Sequence, residues 1–252
     1  MVGRRFEGRT ALVTGAARGI GAAICRALGA EGAQVAVNYQ TRKDAAERLV
    51  QDIEAAGGRA MAIAADVSDA AQVTALVRTV EQELGPVDLL VNNAAVFQLQ
   101  THETLTLAQW QRTLAVNLTG TFLVTWAVKD GMLARRFGRI VNVSSIAALR
   151  ARARCIDYAV TKAGLVSFTK SCAESFAPYN VRVNALAPGL IETEMIADIS
   201  GELRQKLIDD TPMGRIGRPE EMASVVCFLL SEDSSFMTGQ TLVACGGRVP
   251  TP

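Results

Sequence analysis

The sequence predicts an α/β protein of one domain, spanning 1–252, with a doubly wound, mainly parallel sheet of seven strands and helices on both faces. Three observations lead there. Short apolar runs alternate with longer amphipathic stretches along the whole chain. The short runs are β-branched and almost continuously apolar, which suits strands covered on both faces. No linker, low-complexity tract or internal repeat interrupts the alternation.

Residues 10–15 (TALVTG), 34–39 (QVAVNY), 59–66 (RAMAIAAD), 87–93 (VDLLVNN), 138–145 (GRIVNVSS), 181–189 (VRVNALAPG) and 240–244 (QTLVA) read as the strands. Helical periodicity covers 19–31, 42–57, 69–85, 106–136, 158–177 and 219–231. Asp44, Ser68 and Asp69 stand near helix starts, and Gly57-Gly58 and Gly85-Pro86 act as stops. The region 190–218 breaks the rhythm. It is polar, carries Gly201, Gly214 and Gly217, and has the length of a substrate lid.

Composition narrows the function. Hydrophobic residues make up 49%, which argues against disorder. Lys+Arg 26 against Asp+Glu 25 gives a net charge of +1 and no electrostatic case for a nucleic-acid or membrane-surface partner. No apolar run has the length of a bilayer span. The N-terminus goes straight into a strand and a glycine turn without the apolar core of a signal peptide, so a cytoplasmic protein is expected. The five cysteines are scattered and odd in number, which suits reduced, mostly buried thiols. No metal site is expected, and the single histidine, His102, reads as a loop residue.

Three motifs carry chemistry. TGAARGIG (14–21) joins the first strand to the first helix. Its glycines permit a tight turn and close approach of backbone to a pyrophosphate, and the helix start offers unpaired N–H groups to the anion. The second strand ends in VAVNYQTRKD, with Asn38 and Tyr39 where an NAD site usually places a carboxylate for the ribose 2′-hydroxyl. Arg42 and Lys43 follow, and Arg18 stands in the glycine turn. A missing acid beside guanidinium groups favours a 2′-phosphate and hence NADP(H), with NAD(H) as the alternative if the basic residues merely face water. Tyr158 and Lys162 lie four residues apart, on one face of a helix. A free tyrosine has a pKa of ~10, too high for proton transfer at neutral pH, and a nearby ammonium favours the tyrosinate. Taken alone, such a pair occurs on many ordinary helices.

TGxxxGIG, NNA, Ser145…Tyr158…Lys162 and PGLIET occur in that order. In this the chain resembles the short-chain dehydrogenase/reductase family, which has a Rossmann fold, over essentially its whole length. ARGIGAAI, VNNAA, GRIVNVSS, YAVTKAGLVSFTKS and VRVNALAPGLIETEM look most like the 3-oxoacyl-(acyl-carrier-protein) reductases of that family. The same motifs are shared with sugar, steroid and other alcohol dehydrogenases.

The resemblance implies a catalytic set of Asn117, Ser145, Tyr158 and Lys162. Tyr158 is then the general acid in reduction, Lys162 lowers its pKa and holds the nicotinamide ribose, and Ser145 rather than Ser144 binds the substrate oxygen. Asn117 anchors a proton-relaying water. The resemblance further implies that Gly15, Ala17, Arg18, Gly19, Ile20 and Gly21 cradle the cofactor, with Asn38 and Tyr39 at its ribose. Asp66 and Val67 meet the adenine. Asn93 and Ala94 line the cleft, and Pro188, Gly189, Ile191 and Thr193 run along the nicotinamide side. Ala147, Arg152 and Cys155 join Ser145 and Tyr158 in the substrate pocket. Two departures from the family pattern are Ala95 where NNAG is common, and Ala244-Cys245 where many relatives carry an aspartate before two glycines.

The implied activity is hydride transfer between NADP(H) and a carbonyl or secondary alcohol. The substrate is a small carbonyl compound or an acyl thioester, with an acyl carrier protein as a candidate partner, and a sugar or other small alcohol is the alternative. A dinucleotide-binding regulator without turnover is the reading from another class. Arg150, Arg152 and Arg154 form either a cationic rim for an anionic substrate or a solvated or subunit-facing loop. Arg135 and Arg136, at a helix end, are the candidates for docking a carrier, whereas Tyr179 stands where carrier-dependent relatives can carry arginine. Apolar residues on 106–136 and 158–177, including Phe122, Trp126, Phe168 and Phe176, match the helices that relatives pair across two-fold axes, implying a homotetramer.

Overall fold

The computed structural model describes residues 4–196 and 200–249. Seven strands form one sheet: β1 (Thr10–Val13), β2 (Gln34–Tyr39), β3 (Arg59–Ala64), β4 (Val87–Asn92), β5 (Gly138–Val143), β6 (Val181–Pro188) and β7 (Thr241–Ala244). Their order is β3-β2-β1-β4-β5-β6-β7 and every neighbouring pair is parallel, so the sheet is wholly rather than mainly parallel.

The helices are α1 (Gly19–Ala30), α2 (Lys43–Ala55), α3 (Ala70–Glu83), α4 (Leu107–Leu114), α5 (Gly120–Arg135), α6 (Ile156–Phe176), α7 (Gly201–Asp209) and α8 (Pro219–Leu230). Period-two alternation in the strands divides the core into two layers. Ala11, Val13, Val35, Val37, Leu89 and Val91 pack with α1, α2 and α8. Leu12, Ala36 and Leu90 point the other way, to α3, α5 and α6. Each central strand is therefore buried on both faces, which accounts for its unbroken apolar character.

Two elements differ from expectation. The segment 106–136 is not one α-helix. A five-residue π-turn, Ala115–Thr119, joins α4 to α5. The extra residue per turn rotates the following side chains and often marks a functional position. The region 190–218 contains a one-turn 3₁₀ helix (Glu194–Ile196) and the nine-residue α7. α7 has no buried residue, so it lacks the apolar stripe that periodicity detects. Asp69 caps α3 as expected, accepting from the Ala71 and Gln72 amides at 2.9 and 3.1 Å. No described helix is long and apolar enough to cross a membrane.

Strand order reverses between β1 and β4. The connections leave these strands in opposite directions, which opens a crevice beyond their carboxyl ends.

Candidate active site

The crevice is a cleft of about 330 Å³. The turn after β1 lines it. Gly15 and Gly19 are left-handed there, with φ of 60° and 55°. A side chain on Gly15 would also strike the Ala94 backbone, because a Cβ there would sit 2.7 Å from the Ala94 Cα. The turn is pinned from two sides. Asn93 Nδ2 donates to the Thr14 and Gly15 carbonyls at 2.9 and 3.0 Å, and the Gly15 amide donates to Asn38 Oδ1 at 3.3 Å. α1 then starts without a side-chain cap, beside the cleft residues Ala17, Arg18, Gly19 and Ile20. A glycine cradle joined to an uncapped helix start fits the pyrophosphate of a dinucleotide.

Gly21 lies outside the cleft lining, and a Cβ there would meet Asn93 Nδ2 at 2.6 Å, so its small size lets α1 pack against the turn. Asn38 is buried and lines the cleft, but its amide faces inward. Its Nδ2 donates to the Tyr39, Ile63 and Ala65 carbonyls, so it ties together the carboxyl ends of β2 and β3.

Tyr39, Gln40, Thr41, Arg42, Asp66 and Val67 close this end of the cleft. Asp66 accepts from Gln40 Nε2 (2.7 Å), from the Ser68 amide and hydroxyl, and from Arg112. Partial burial opposes its ionisation, but the Ser68 hydrogen bonds and Arg112 outweigh that and hold its pKa below the usual value. Of the three basic residues expected near a 2′-phosphate, Arg18 and Arg42 line the cleft. Lys43 instead pairs along α2 with Glu47 at 3.7 Å.

The other end is built from β5, α6 and the loop after β6. Ser144 is buried, and its hydroxyl donates to the Lys162 carbonyl at 2.8 Å, a structural tie between strand and helix. Ser145 follows with an extended backbone and lines the cleft, its hydroxyl accepting from the Ala147 amide at 3.1 Å. Tyr158 sits one turn before Lys162, whose Nζ is 5.5 Å from the phenol ring centroid. Phe97 packs edge-on against that ring, with centroids 4.9 Å apart.

Burial moves the two titrating groups in opposite directions, because it disfavours a phenolate and an ammonium alike. Tyr158 is pushed up to about 12 by burial, against a lowering influence of the Ser145 hydroxyl. Lys162 is brought down to about 7 by burial, while its Nζ donates to the Val143 carbonyl at 2.7 Å.

Asn117 lies fully buried in the π-turn. Its amide makes a two-way pair with Val96, accepting from the backbone N–H at 2.8 Å and donating to the carbonyl at 3.0 Å, and it also donates to Thr161 Oγ1 at 3.3 Å. It thus ties the segment after β4 to α6, one residue from Lys162. The tie is long-range and carries no sequence period, so the local sequence holds no sign of it.

Pro188, Gly189, Ile191 and Thr193 also line the cleft. Ala147 and Cys155, expected in the substrate pocket, are buried and do not line this cleft. The arginine loop divides. Arg150 and Arg154 are exposed, whereas Arg152 is half-buried beside Tyr158, Cys155 and Arg248. Burial, followed by the nearby Arg150 charge, lowers the Arg152 pKa. Arg135 and Arg136 are engaged locally, donating to the Val87 and Pro178 carbonyls at 2.8 and 2.9 Å. Cys245 packs on Gly189, at the end of the strand that replaces the family's aspartate region. The site residues missed by sequence reasoning are Phe97, Val143, Thr161 and Glu194: Val143 acts through its carbonyl, and the other three act through side chains whose partners are distant in sequence.

The family described as enoyl-(acyl carrier protein) reductase matches residues 15–248. The chain is 39% identical over 244 residues to 3-oxoacyl-(acyl-carrier-protein) reductase of Aquifex aeolicus, covering 96% of this chain and 98% of the relative. Its fold superposes on a short-chain type dehydrogenase/reductase from Mycobacterium marinum with TM-score 0.92 and 33% identity, covering 98% and 97% of the two chains. A gluconate 5-dehydrogenase from Burkholderia cenocepacia, solved with NADP and tartrate, matches with TM-score 0.92 and 35% identity, again over 98% and 97%.

Proposed function

The chain belongs to the short-chain dehydrogenase/reductase family, whose members act on CH–OH groups with NAD(P), and from that membership we propose an NADP(H)-preferring 3-oxoacyl-thioester reductase. One observation carries the proposal. Ser145, Tyr158 and Lys162 meet at one end of a cleft whose other end holds a glycine cradle and two guanidinium groups.

The cradle residues, Asn93 and Ala94, and Tyr39 with Asp66 and Val67, would hold the dinucleotide. When bound, the nicotinamide supplies the hydride in reduction and accepts it in oxidation. Ser145 donates a hydrogen bond to the substrate carbonyl oxygen. Tyr158 delivers the proton to that oxygen and recovers it in the reverse direction. Lys162 in its charged form stabilises the phenolate that remains, reversing the raised pKa that burial alone imposes. Val143 fixes the lysine head through its carbonyl. Asn117 acts as a positioning residue, keeping Val96 and Thr161 in register with Lys162, and in this reading it also anchors the relaying water. The segment 190–218 serves as a lid over the substrate.

A sugar or other small-alcohol dehydrogenase is the second reading. It is favoured by the half-buried Arg152 beside Tyr158, suited to a compact anionic substrate, and by the local engagement of Arg135 and Arg136, which leaves less of them for a carrier protein. A homotetramer is supported by the outward face of α5, where Phe122 and Trp126 are exposed and stacked with centroids 4.4 Å apart. The deciding experiment is a panel of thioesters, small ketones and sugars followed by nicotinamide absorbance with NADPH and with NADH. Turnover of 3-oxoacyl thioesters well above the others supports the first reading, and preference for sugar acids supports the second. Dinucleotide binding with no turnover on any substrate would make the chain a regulator and overturn both.

A further inference from the structure

Glu194 stands in the one-turn helix that follows β6, on the segment that crosses the glycine turn. Thr193, its neighbour, is close enough that a Cβ on Gly19 would meet its Cγ2 at 3.2 Å. Glu194 reaches the cleft, where a single carboxylate oxygen accepts from Arg18 Nη1 at 2.5 Å and from Arg42 Nη2 at 3.1 Å. These are the two guanidinium groups that line the end of the cleft beyond β2. They come from elements far apart in sequence and converge on this one anionic atom.

We infer that Glu194 is an internal counter-ion of the Arg18–Arg42 pair that competes with the 2′-phosphate of the cofactor and so sets the strength of discrimination between NADPH and NADH. The inference rests on the proposed NADP(H) preference. The argument is one of charge at a shared position. A phosphate monoester carries about −1.5 to −2 at neutral pH and offers three acceptor oxygens, so it satisfies two guanidinium forks better than one carboxylate oxygen can. Arg18, Arg42 and Glu194 each leave about half of their side chain in water, at 51%, 57% and 52% exposure. Ion pairs this exposed are weak and salt-sensitive, so the carboxylate can be displaced. Displacing it still subtracts from 2′-phosphate affinity. A cofactor without that phosphate leaves the pairs intact and incurs no such loss.

The test uses adenosine 2′,5′-bisphosphate and 5′-AMP, titrated calorimetrically into the wild-type protein and Glu194→Gln. Glutamine keeps the shape of the side chain at a half-exposed position, so the fold is retained, and a thermal melt verifies it. The expected result is a bisphosphate Kd tightened by roughly 3- to 10-fold in Glu194→Gln, with the AMP Kd changed by less than about 2-fold and the gain shrinking at high salt. Glu174→Gln removes the same charge from the exposed side of α6 and should leave both constants unchanged. Equal tightening of both ligands, or the same gain in Glu174→Gln, would reduce the effect to net charge and overturn the inference. Wild-type preference for the bisphosphate with no change in Glu194→Gln would overturn the inference while leaving the NADP(H) reading intact. Absence of preference in both proteins would remove both. Preference only in Glu194→Gln would uphold Glu194 as the competing anion and overturn the NADP(H) reading of the wild-type protein.

Discussion

Replacing Lys162 by methionine should abolish turnover and yet stabilise the cofactor-free protein, in a manner that depends on pH. Lys162 is almost completely buried, and burial lowers its pKa from 10.5 to about 7. At 1.36 kcal/mol per pH unit, holding this lysine charged in the folded state costs about 5 kcal/mol relative to the unfolded chain. Methionine fills a similar volume without that cost. Against this, the substitution removes the ammonium's hydrogen bond to the Val143 carbonyl and leaves that carbonyl without its donor, worth about 1.5–3 kcal/mol. The net expectation is about 2–3 kcal/mol in favour of Lys162→Met at pH 6.

The sign of the pH dependence follows from proton counting. Between about pH 7 and 10.5 the unfolded chain binds a proton at Lys162 that the folded protein does not, so wild-type stability rises with pH across that window. Below pH 7 the full cost is present, and above 10.5 it is gone. The advantage of Lys162→Met should therefore shrink from pH 6 to pH 10 and reverse near the top of the range, where the lost hydrogen bond is all that remains. Urea unfolding of both proteins at pH 6, 8 and 10, without cofactor, measures the difference. A variant that is less stable than wild type at every pH, or a difference that does not change with pH, would refute a lysine held against desolvation.

Tyr158→Phe keeps the ring against Phe97 but removes the proton donor, so kcat should fall by about 10²–10⁴-fold while dinucleotide affinity, read by fluorescence titration, is nearly unchanged. Of the loop arginines, Arg152→Ala should raise KM for an anionic substrate and spare a small neutral ketone, with the effect reduced at high salt; Arg154→Ala should do neither, because its side chain is exposed. Steady-state kinetics at two ionic strengths separates the two. Trp126→Glu places a charge on the exposed aromatic face of α5 and should shift sedimentation from the proposed tetramer to a smaller species without loss of helix content.

The sheet was legible because burial on both faces writes itself into each strand as an unbroken apolar run, and the glycine turn because Gly15 and Gly19 need φ values that few other residues accept. Tyr158 and Lys162 were legible as a pair for a local reason, since one helical turn sets their spacing. Elsewhere the local signal fails for a definite cause. Asn117 appeared as an isolated polar residue in a long helical pattern, and only the π-turn and the Val96 backbone show what it holds. Asn38 was read for what it lacks, a carboxylate, whereas its amide is consumed by three carbonyls of its own sheet edge. Arg18 and Arg42 were recognisable as cations near one phosphate position, but the carboxylate between them comes from a segment more than a hundred residues away. Positive charges collected by a cleft imply an anion to balance them. A sequence can nominate the cations from their neighbours along the chain, but whether their anion is a ligand or part of the protein depends on contacts that no periodicity encodes. In the proposed reading both kinds of anion compete for one pair of arginines at this cleft, and the choice of cofactor then follows from the difference between two exposed interactions rather than from the presence of the arginines alone.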